Sequence, residues 1–144
     1  MRMTADYPPV WLAGAIGLAW VQAQVWPLPG LPVAGGVLVA AGVVLMAVAA
    51  AQFARARTTI VPHEAPRVLV STGVYAISRN PIYLADVLIL IGLCVHWGAW
   101  PALLLVPVFM AVITARFITA EETRLRAGFG AAFDDWASRV RRWV

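Results

Sequence analysis

The stretch SRNPIYLADVLILIGLCVHWGAWPALLLVPVFMAVITARFI, residues 78–118, contains two apolar runs separated by a short break. The runs extend over residues 81–96 and 102–118, with HWGAWP between them. A membrane-spanning helix needs about 20 predominantly apolar residues. Because glycine and proline end helices, the stretch predicts two transmembrane helices joined as a hairpin.

Two further apolar runs, at residues 9–26 and 31–53, precede the hairpin. PLPGLP between them predicts a tight turn, and the small residues of the second run allow close helix packing in lipid. No small-residue cleavage site follows the first run, so we expect a retained helix rather than a signal peptide. The sequence therefore predicts an all-α integral membrane protein with four transmembrane helices, in a single membrane domain, residues 1–144.

The composition supports a membrane protein. Of the 144 residues, 62% are hydrophobic and 12% are charged, whereas a soluble domain carries about 25% charged residues. The formal net charge of +4 would suggest nucleic acid in a soluble protein. In a membrane protein such a charge marks the cytoplasmic side, so we expect no nucleic-acid partner.

Apart from Asp86, the charged residues fall on one side of the four predicted helices. They precede the first helix, occupy a polar connection at residues 55–80, and follow the fourth helix. The opposite connections, residues 27–32 and 96–101, carry only His96. The positive-inside rule then places the site and both termini in the cytoplasm. We expect a multi-pass protein of a bacterial inner membrane.

The cytoplasmic C-terminal segment, residues 119–144, has an amphipathic pattern. Gly128 and Gly130 predict a break after a short helix that begins near Glu121. Two interpretations of the following amphipathic helix remain open: it lies on the bilayer surface, or it folds back as a lid over the polar connection. Its apolar residues recur at spacings of four and three, as on one face of a helix: Phe129, Phe133, Trp136, Val140 and Trp143.

The start of the third helix is a candidate anion site. Asn80 is a preferred N-cap and Pro81 is preferred at the first helical position. A helix N-terminus offers a partial positive charge and unpaired N–H donors, to which Arg79 adds a cation with bidentate geometry. An ordinary helix start beside an interfacial arginine is the alternative.

Other polar residues near this helix start have more than one interpretation. Tyr75 and Tyr83 are interfacial anchors or site residues. Asp86, one turn inside the helix, is functional, paired, or shallow enough to be solvated. Glu121 and Glu122 either bind a cation or cap the next helix. His63 and Glu64 in the connection have no second His or Cys at ligand spacing, so we expect no bound metal.

Three elements occur in an order that resembles a known family. They are LVSTGVYAISRNPIYLA (residues 69–85), the apolar hairpin, and RFITAEETRLRAGFGAAFDDWASRVRRW (residues 116–143). With its Gly-x-Tyr, Arg-Asn-Pro-x-Tyr and Glu-Glu motifs, the chain resembles the isoprenylcysteine carboxyl methyltransferases and the related phospholipid methyltransferases. The resemblance implies a membrane methyltransferase that binds S-adenosylmethionine, without a Rossmann domain, at the cytoplasmic helix ends. Family members often carry His where Asn80 stands.

The resemblance also implies roles for individual residues. Arg79, Arg139 and Glu121 would be catalytic, the two arginines by orienting an anionic acceptor. The acceptor would be a lipophilic small molecule that enters from membrane lipid, for example a carboxylate such as an isoprenylcysteine-like group. The cofactor pocket would consist of Gly73, Val74, Tyr75, Asn80, Pro81, Tyr83, Arg116, Glu121 and Glu122.

Two functions of other classes compete with methyl transfer. The chain could be a non-catalytic membrane subunit whose basic cytoplasmic face docks a partner protein or anionic lipid. A small transporter is less consistent with the sequence, because no internal repeat is visible and the second helix has no ionisable residue. Binding of S-adenosylmethionine separates the enzyme from both.

Overall fold

The computed structural model describes residues 6–56 and 68–144, and within them the chain is all-α. Four helices follow one another as the apolar runs predict: α1 (Pro8–Val25), α2 (Pro32–Arg55), α3 (Pro81–Trp97) and α4 (Pro101–Phe129). A fifth, short helix α5 (Ala131–Arg139) follows. His63, Glu64 and the middle of the predicted polar connection lie outside the described residues.

Two of these helices, α2 and α4, are long and apolar enough to cross a membrane, and α3 is a shorter apolar helix. α4 begins with a 3₁₀ turn at Pro101–Leu104 and contains a π-helical turn at Thr114–Ile118. The chain therefore continues as a helix beyond the apolar run that ends at residue 118.

The separate helix predicted to begin near Glu121 is absent. The helical backbone continues without interruption through Thr119 and Ala120 after the π turn. Glu121 and Glu122 consequently lie on a continuous helix rather than at a helix start. Gly128 is helical as well, and the chain leaves the helix at Gly130, where φ is +52°. The acids are thus held on a rigid element one turn beyond the apolar core.

One end of the bundle joins the turn between α1 and α2 to the turn between α3 and α4. The Leu31 amide donates to the Val95 carbonyl at 2.8 Å, and the Trp100 indole donates to the Pro29 carbonyl at 2.9 Å. The Gln22 amide oxygen accepts from the Ala102 amide at 3.2 Å. These contacts bring the two predicted turns to the same end of the molecule, hereafter the turn end.

α2 and α3 pack with their backbones in contact. A Cβ on Gly35 would lie 2.5 Å from the Gly92 carbonyl oxygen, and a Cβ on Gly92 would lie 2.8 Å from the Gly35 oxygen. Small residues permit this close approach, which gives dispersion contact where no hydrophobic effect drives helices together in lipid. The small residues predicted to pack α2 closely do so against α3.

Two apolar clusters organise the interior. The larger joins α1, α3 and α4 around Leu90, Phe109, Ile113 and Phe117. The smaller lies at the opposite end from the turns and consists of Ala49, Tyr75, Phe133, Trp136 and Val140. α5 therefore turns its apolar face toward α2 and the segment before α3, which positions the C-terminal residues beside the start of α3.

Candidate active site

A cavity of about 300 Å³ lies where α1 begins, α2 ends and α3 begins, at the end opposite the turns. α1 contributes Pro8 and Pro9, and α2 contributes Met46, Ala50 and Phe53. The remaining polar and aromatic lining consists of Tyr75, Arg79, Asn80, Tyr83, Asp86, Glu121, Glu122, Arg124, Phe133 and Trp136.

Glu122 is held by two arginines. Its Oε1 atom accepts from Arg79 Nη1 at 3.1 Å and from Arg142 Nε at 2.8 Å, while its Oε2 atom accepts from Arg142 Nη2 at 2.9 Å. The side chains of Arg79 and Glu122 are only 15% and 14% exposed, so solvent screens this pair less than a surface ion pair. The fork of Arg142 matches the carboxylate geometry, which fixes the Glu122 rotamer.

The two arginines differ in how their surroundings affect them. Burial lowers the pKa of Arg79, and the nearby Glu122 carboxylate opposes that shift. The hydrogen bonds to Glu122 raise the pKa of Arg142. Arg142, the more exposed of the two, therefore neutralises the Glu122 charge from the solvent side, while Arg79 lines the cavity.

The residues after α5, the C-terminal strap (residues 140–143), hold the start of α3 by their backbone. The Arg79 amide donates to the Arg141 carbonyl at 3.0 Å, and Asn80 Nδ2 donates to the Arg142 carbonyl at 2.9 Å. α3 begins at Pro81 with Asn80 at the N-cap position, as predicted, but the Asn80 side chain makes no cap hydrogen bond. Because the Asn80 side chain donates to the Arg142 carbonyl instead, it holds the strap against the start of α3 rather than capping the helix.

Glu121 and Tyr83 meet across the cavity. The Tyr83 hydroxyl donates to Glu121 Oε1 at 2.6 Å. Glu121 and Glu122 are adjacent on a helix, so their side chains point about 100° apart. This difference in direction separates Glu121, which meets a tyrosine of α3, from Glu122, which meets the two arginines.

An aromatic wall closes the other side of the cavity. Tyr75 is 4% exposed and its carbonyl accepts from the Trp136 indole at 2.9 Å. Its ring contacts Phe53 edge-on, with centroids 5.1 Å apart. Burial, with the Glu121 carboxylate nearby, raises the pKa of the Tyr75 hydroxyl above its usual range. The phenol therefore stays protonated at neutral pH.

Gly73 and Val74 lie behind this wall and do not line the cavity. Gln52 of α2 fixes them: its Nε2 donates to the Thr72 carbonyl at 2.9 Å and its Oε1 accepts from the Val74 amide at 3.1 Å. Gly73 has φ +59°, and a Cβ there would collide with the Gln52 side chain. These residues therefore position Tyr75 by the backbone.

Arg116 and Arg139 also lie away from the cavity. Arg116 donates twice to Asp6, from Nε and Nη2 at 2.9 Å each, and its guanidinium lies 5.3 Å from the Trp11 ring. Arg139 pairs with Asp135 at 2.8 Å on the exposed face of α5, where its side chain is 66% exposed. The arginine that α5 and the strap deliver to the site is Arg142, three residues further on.

Beside apolar lining residues, the structure adds Asp86, Arg124 and Trp136 to the predicted set as cavity residues, and Arg142 as a partner of Glu122. Asp86 and Trp136 carried a signal in the sequence, an acid inside a membrane helix and an amphipathic stripe. Arg124 and Arg142 carried none, because charged residues surround both along the chain. Only the helical phase of α4 and the path of the strap distinguish them from Arg126 and Arg141.

Comparison with models of known protein families gives a match. The model of the phospholipid methyltransferase family matches residues 31–132. This range includes α2, α3 and α4 and the cavity residues from Met46 to Leu125. Neither the curated proteins nor the solved structures gave a match.

Proposed function

The chain belongs to the phospholipid methyltransferase family, and from that premise we propose that it is an S-adenosylmethionine-dependent membrane methyltransferase acting on a lipophilic acceptor. The observation that carries the proposal is the cavity between α2, α3 and α4, which combines buried cationic donors, a carboxylate and an aromatic wall. S-adenosylmethionine is an amino acid that carries a sulfonium and a purine. Cationic donors suit its carboxylate, a carboxylate suits its ammonium, and aromatic rings suit its sulfonium and purine.

We propose further that α1, α2, α3 and α4 all cross the membrane. α1 has 18 residues and α3 has 17, close to the lower limit of about 17 for a span. The turn end has no Asp, Glu, Lys or Arg in residues 26–31 or 98–100, while the cavity end collects the arginines. The positive-inside rule then puts the cavity and α5 on the cytoplasmic side.

The buried donors fit the carboxylate of the cofactor. Arg79 and Arg124 both line the cavity, and the Nε atom of each is buried without a hydrogen-bond partner among the described residues. An unmade hydrogen bond of this kind destabilises the folded protein, and a bound carboxylate would supply the acceptor. We therefore assign the carboxylate of the cofactor to these two arginines, beside the N-terminus of α3.

Glu121 fits the ammonium of the cofactor. Its carboxylate lies in the cavity wall, where Oε1 accepts from the Tyr83 hydroxyl at 2.6 Å, and its negative charge complements an ammonium. Glu122 is unsuited to this role, because two guanidiniums already occupy both of its oxygens. Glu122 instead positions Arg79, and Arg142 positions Glu122.

S-adenosylmethionine, when bound, supplies an electrophilic methyl group on a sulfonium. The rings of Tyr75 and Tyr83 can lie against that cation, an attraction of about 0.5–2 kcal/mol. Methyl transfer needs alignment and the exclusion of water more than proton transfer when the acceptor is already a nucleophile. α5 contributes Phe133 and Trp136 to the cavity lining, and these apolar side chains would exclude water from the bound groups.

The cavity also accounts for a lipophilic acceptor. Met46 and Ala50 of α2 and Ile82 of α3 form an apolar part of the cavity wall. An acyl or prenyl chain can lie along such a wall, because burying it removes apolar surface from water. Arg116 and Arg139 have no part in this proposal, because each forms an ion pair outside the cavity.

Calorimetric titration of the purified full-length protein in detergent with S-adenosylhomocysteine tests the proposal. We expect saturable binding of one ligand per chain. No binding at millimolar ligand, by a protein that still unfolds cooperatively, would contradict the enzyme and favour a non-catalytic membrane subunit.

A further inference from the structure

The start of α1 forms a wall of the cavity and is also tied to α4. Pro8 and Pro9 line the cavity. Just before them, Asp6 accepts two hydrogen bonds from the Arg116 guanidinium, from Nε to Oδ1 and from Nη2 to Oδ2, at 2.9 Å each. The Trp11 indole also donates to Asp6 Oδ1, at 3.1 Å. The side chains of Asp6, Trp11 and Arg116, hereafter the α1 latch, thus hold one wall of the cavity against α4.

The α1 latch is exposed to solvent. The side chains of Arg116 and Asp6 are 49% and 33% exposed, so water and salt screen their attraction and the pair contributes little to stability. The pair of Arg79 and Glu122 differs, because both of its side chains are mostly buried. The α1 latch can therefore open and close again while the rest of the bundle stays folded.

α1 is anchored mainly at its other end. Ala19 and Ala23 are buried in the cluster that joins α1 to α3 and α4, and Gln22 accepts from the Ala102 amide at the turn end. Pro8 is the only residue of α1 before Ala19 that is buried. The turn end therefore fixes α1, whereas the position of its first turn depends largely on the α1 latch.

Two glycines lie between the anchored end of α1 and the latch. A Cβ on Gly14 or Gly17 would meet nothing within 4 Å, whereas a Cβ on Gly35 of α2 would collide with backbone atoms of α3. Close packing therefore does not require glycine at either position in α1. Because glycine leaves a helix backbone more freedom than other residues do, α1 bends most easily at these two positions.

Resting on the function proposed above, we propose that the α1 latch is a gate for the lipophilic acceptor. When the pair of Asp6 and Arg116 opens, α1 bends at its two glycines and its first turn moves away from the cavity. The path that opens lies between α1 and α2, which both line the cavity and both expose apolar side chains, for example Val10 and Val48. An apolar molecule enters along such a path more favourably than through water, because its surface stays covered.

The α1 latch also connects this wall to the helix that carries the acids of the site. Arg116 belongs to the π turn of α4, and π turns within α-helices occur frequently at functional sites. The same helix continues to Glu121 in the cavity wall. α1 lies outside residues 31–132, the range that the family model matches. The latch therefore joins a segment outside the matched range to a helix inside it.

Distances between two nitroxide labels, measured by double electron–electron resonance, test the movement without any ligand. The labels are attached to Val10→Cys and Val48→Cys in the full-length protein in nanodiscs, and the native Cys94 is fully buried. We expect one narrow distance in the labelled parent protein. Asp6→Asn or Arg116→Gln should add a longer distance. Distance distributions that neither substitution changes would overturn the proposal.

Matched variants separate the α1 latch from a general effect of charge. Asp135→Asn removes an exposed ion pair with Arg139 on α5, so it should leave the parent distance unchanged. The reversed pair, Asp6→Arg with Arg116→Asp, should restore the narrow distance. An increase in salt of about ten-fold should enlarge the long-distance fraction of the parent about two-fold and leave Asp6→Asn unchanged. A longer distance in Asp135→Asn, or a reversed pair that stays open, would contradict the gate.

The bending of α1 has its own test. Gly14→Ala together with Gly17→Ala, for which the structure has space, should lower the long-distance fraction of Asp6→Asn about two-fold, because alanine stiffens the helix. An undiminished fraction would contradict the bending at these positions.

Access to the cavity is measured by the rate at which N-ethylmaleimide labels Ala50→Cys in the cavity wall. Asp6→Asn should raise this rate about three-fold, because losing an exposed ion pair raises the open population by a factor of this order. The labelling rate of Leu104→Cys, an exposed position in the first turn of α4, should stay the same. An equal rate for Ala50→Cys with and without Asp6→Asn would overturn the gate.

The two proposals fail differently, because the label distances and labelling rates require no ligand. A wild type that does not bind S-adenosylhomocysteine would contradict the proposed function. A wild type that binds it, but whose label distances do not respond to Asp6→Asn, would overturn the α1 latch alone.

Discussion

At the turn end, α2 and α3 meet backbone to backbone through Gly35 and Gly92, and the described residues there carry no Asp, Glu, Lys or Arg. At the cavity end, α3 meets α4 and the strap through charged side chains around Glu122. The first interface leaves no space, whereas the second encloses about 300 Å³. α3 is thus closely packed at one end and borders a ligand-sized cavity at the other.

This difference separates stability from function along α3. The close packing at the turn end fixes the angle between α2 and α3. The residues at the opposite end of α3 therefore have a defined position. The cavity end contains groups that have no hydrogen-bond partner among residues 6–56 and 68–144, including the Nε atoms of Arg79 and Arg124. Substitutions at the two ends should therefore affect different measurements.

The largest effect is expected from a methyl group at the turn end. In Gly35→Ala, the new Cβ would lie 2.5 Å from the Gly92 oxygen and the His96 nitrogen, both backbone atoms that cannot move alone. Overpacking of this kind costs up to about 3 kcal/mol. Gly36→Ala is the matched control, because a Cβ at Gly36 meets nothing within 4 Å. Equal unfolding free energies of the two variants in detergent would show that the close contact does not stabilise the bundle.

At the cavity end, Glu121→Gln should weaken S-adenosylhomocysteine binding about 30-fold, or about 2 kcal/mol, while leaving the unfolding free energy close to the wild type. Glutamine keeps an acceptor for the Tyr83 hydroxyl and removes only the charge. Calorimetry and chemical unfolding on the same preparation check both halves. An unchanged affinity would remove Glu121 from the proposed ligand site.

Arg142→Ala should weaken the same binding about ten-fold, because Glu122 would lose its bidentate partner and no longer hold Arg79 in one orientation. Arg139→Ala is the matched control on the same segment, since its partner Asp135 is exposed. Exposed ion pairs contribute about 0–1 kcal/mol, so its affinity should change less than two-fold. Equal losses in both variants would mean that the strap acts by general packing.

The smallest effect has the opposite sign. Asp86→Asn should raise the unfolding free energy by about 1 kcal/mol, because it removes a buried charge that has no partner in the described protein. A gain in stability together with a loss of methyl transfer would mark Asp86 as a residue kept for function. A clear loss of stability would instead point to a structural contact for its carboxylate.

Much of the scaffold is predictable from the sequence because its signals are local. Apolar runs, Pro81 at the start of α3 and the prolines of the turns each act on their own neighbours, and all four runs form helices. The continuation of α4 through Glu121 was not predictable in the same way. A π turn at Thr114–Ile118 changes the helical phase there without leaving a compositional mark.

The cavity end depends on contacts between residues far apart in the chain. Arg139 and Arg142 look alike in sequence, and only the extended strap after α5 turns Arg142 toward Glu122. Gly73 and Val74 carry a motif, yet the structure uses them through Gln52 to hold Tyr75. A motif identified the segment, and tertiary hydrogen bonds determined which side chains of that segment reach the cavity.

The most direct test of the central claim is an experimental structure of the protein with S-adenosylhomocysteine bound. We expect the ligand in the cavity between α2, α3 and α4, with its carboxylate on Arg79 and Arg124 and its ammonium on Glu121. A ligand bound outside this cavity, for example against Arg116 or Arg139, would contradict it.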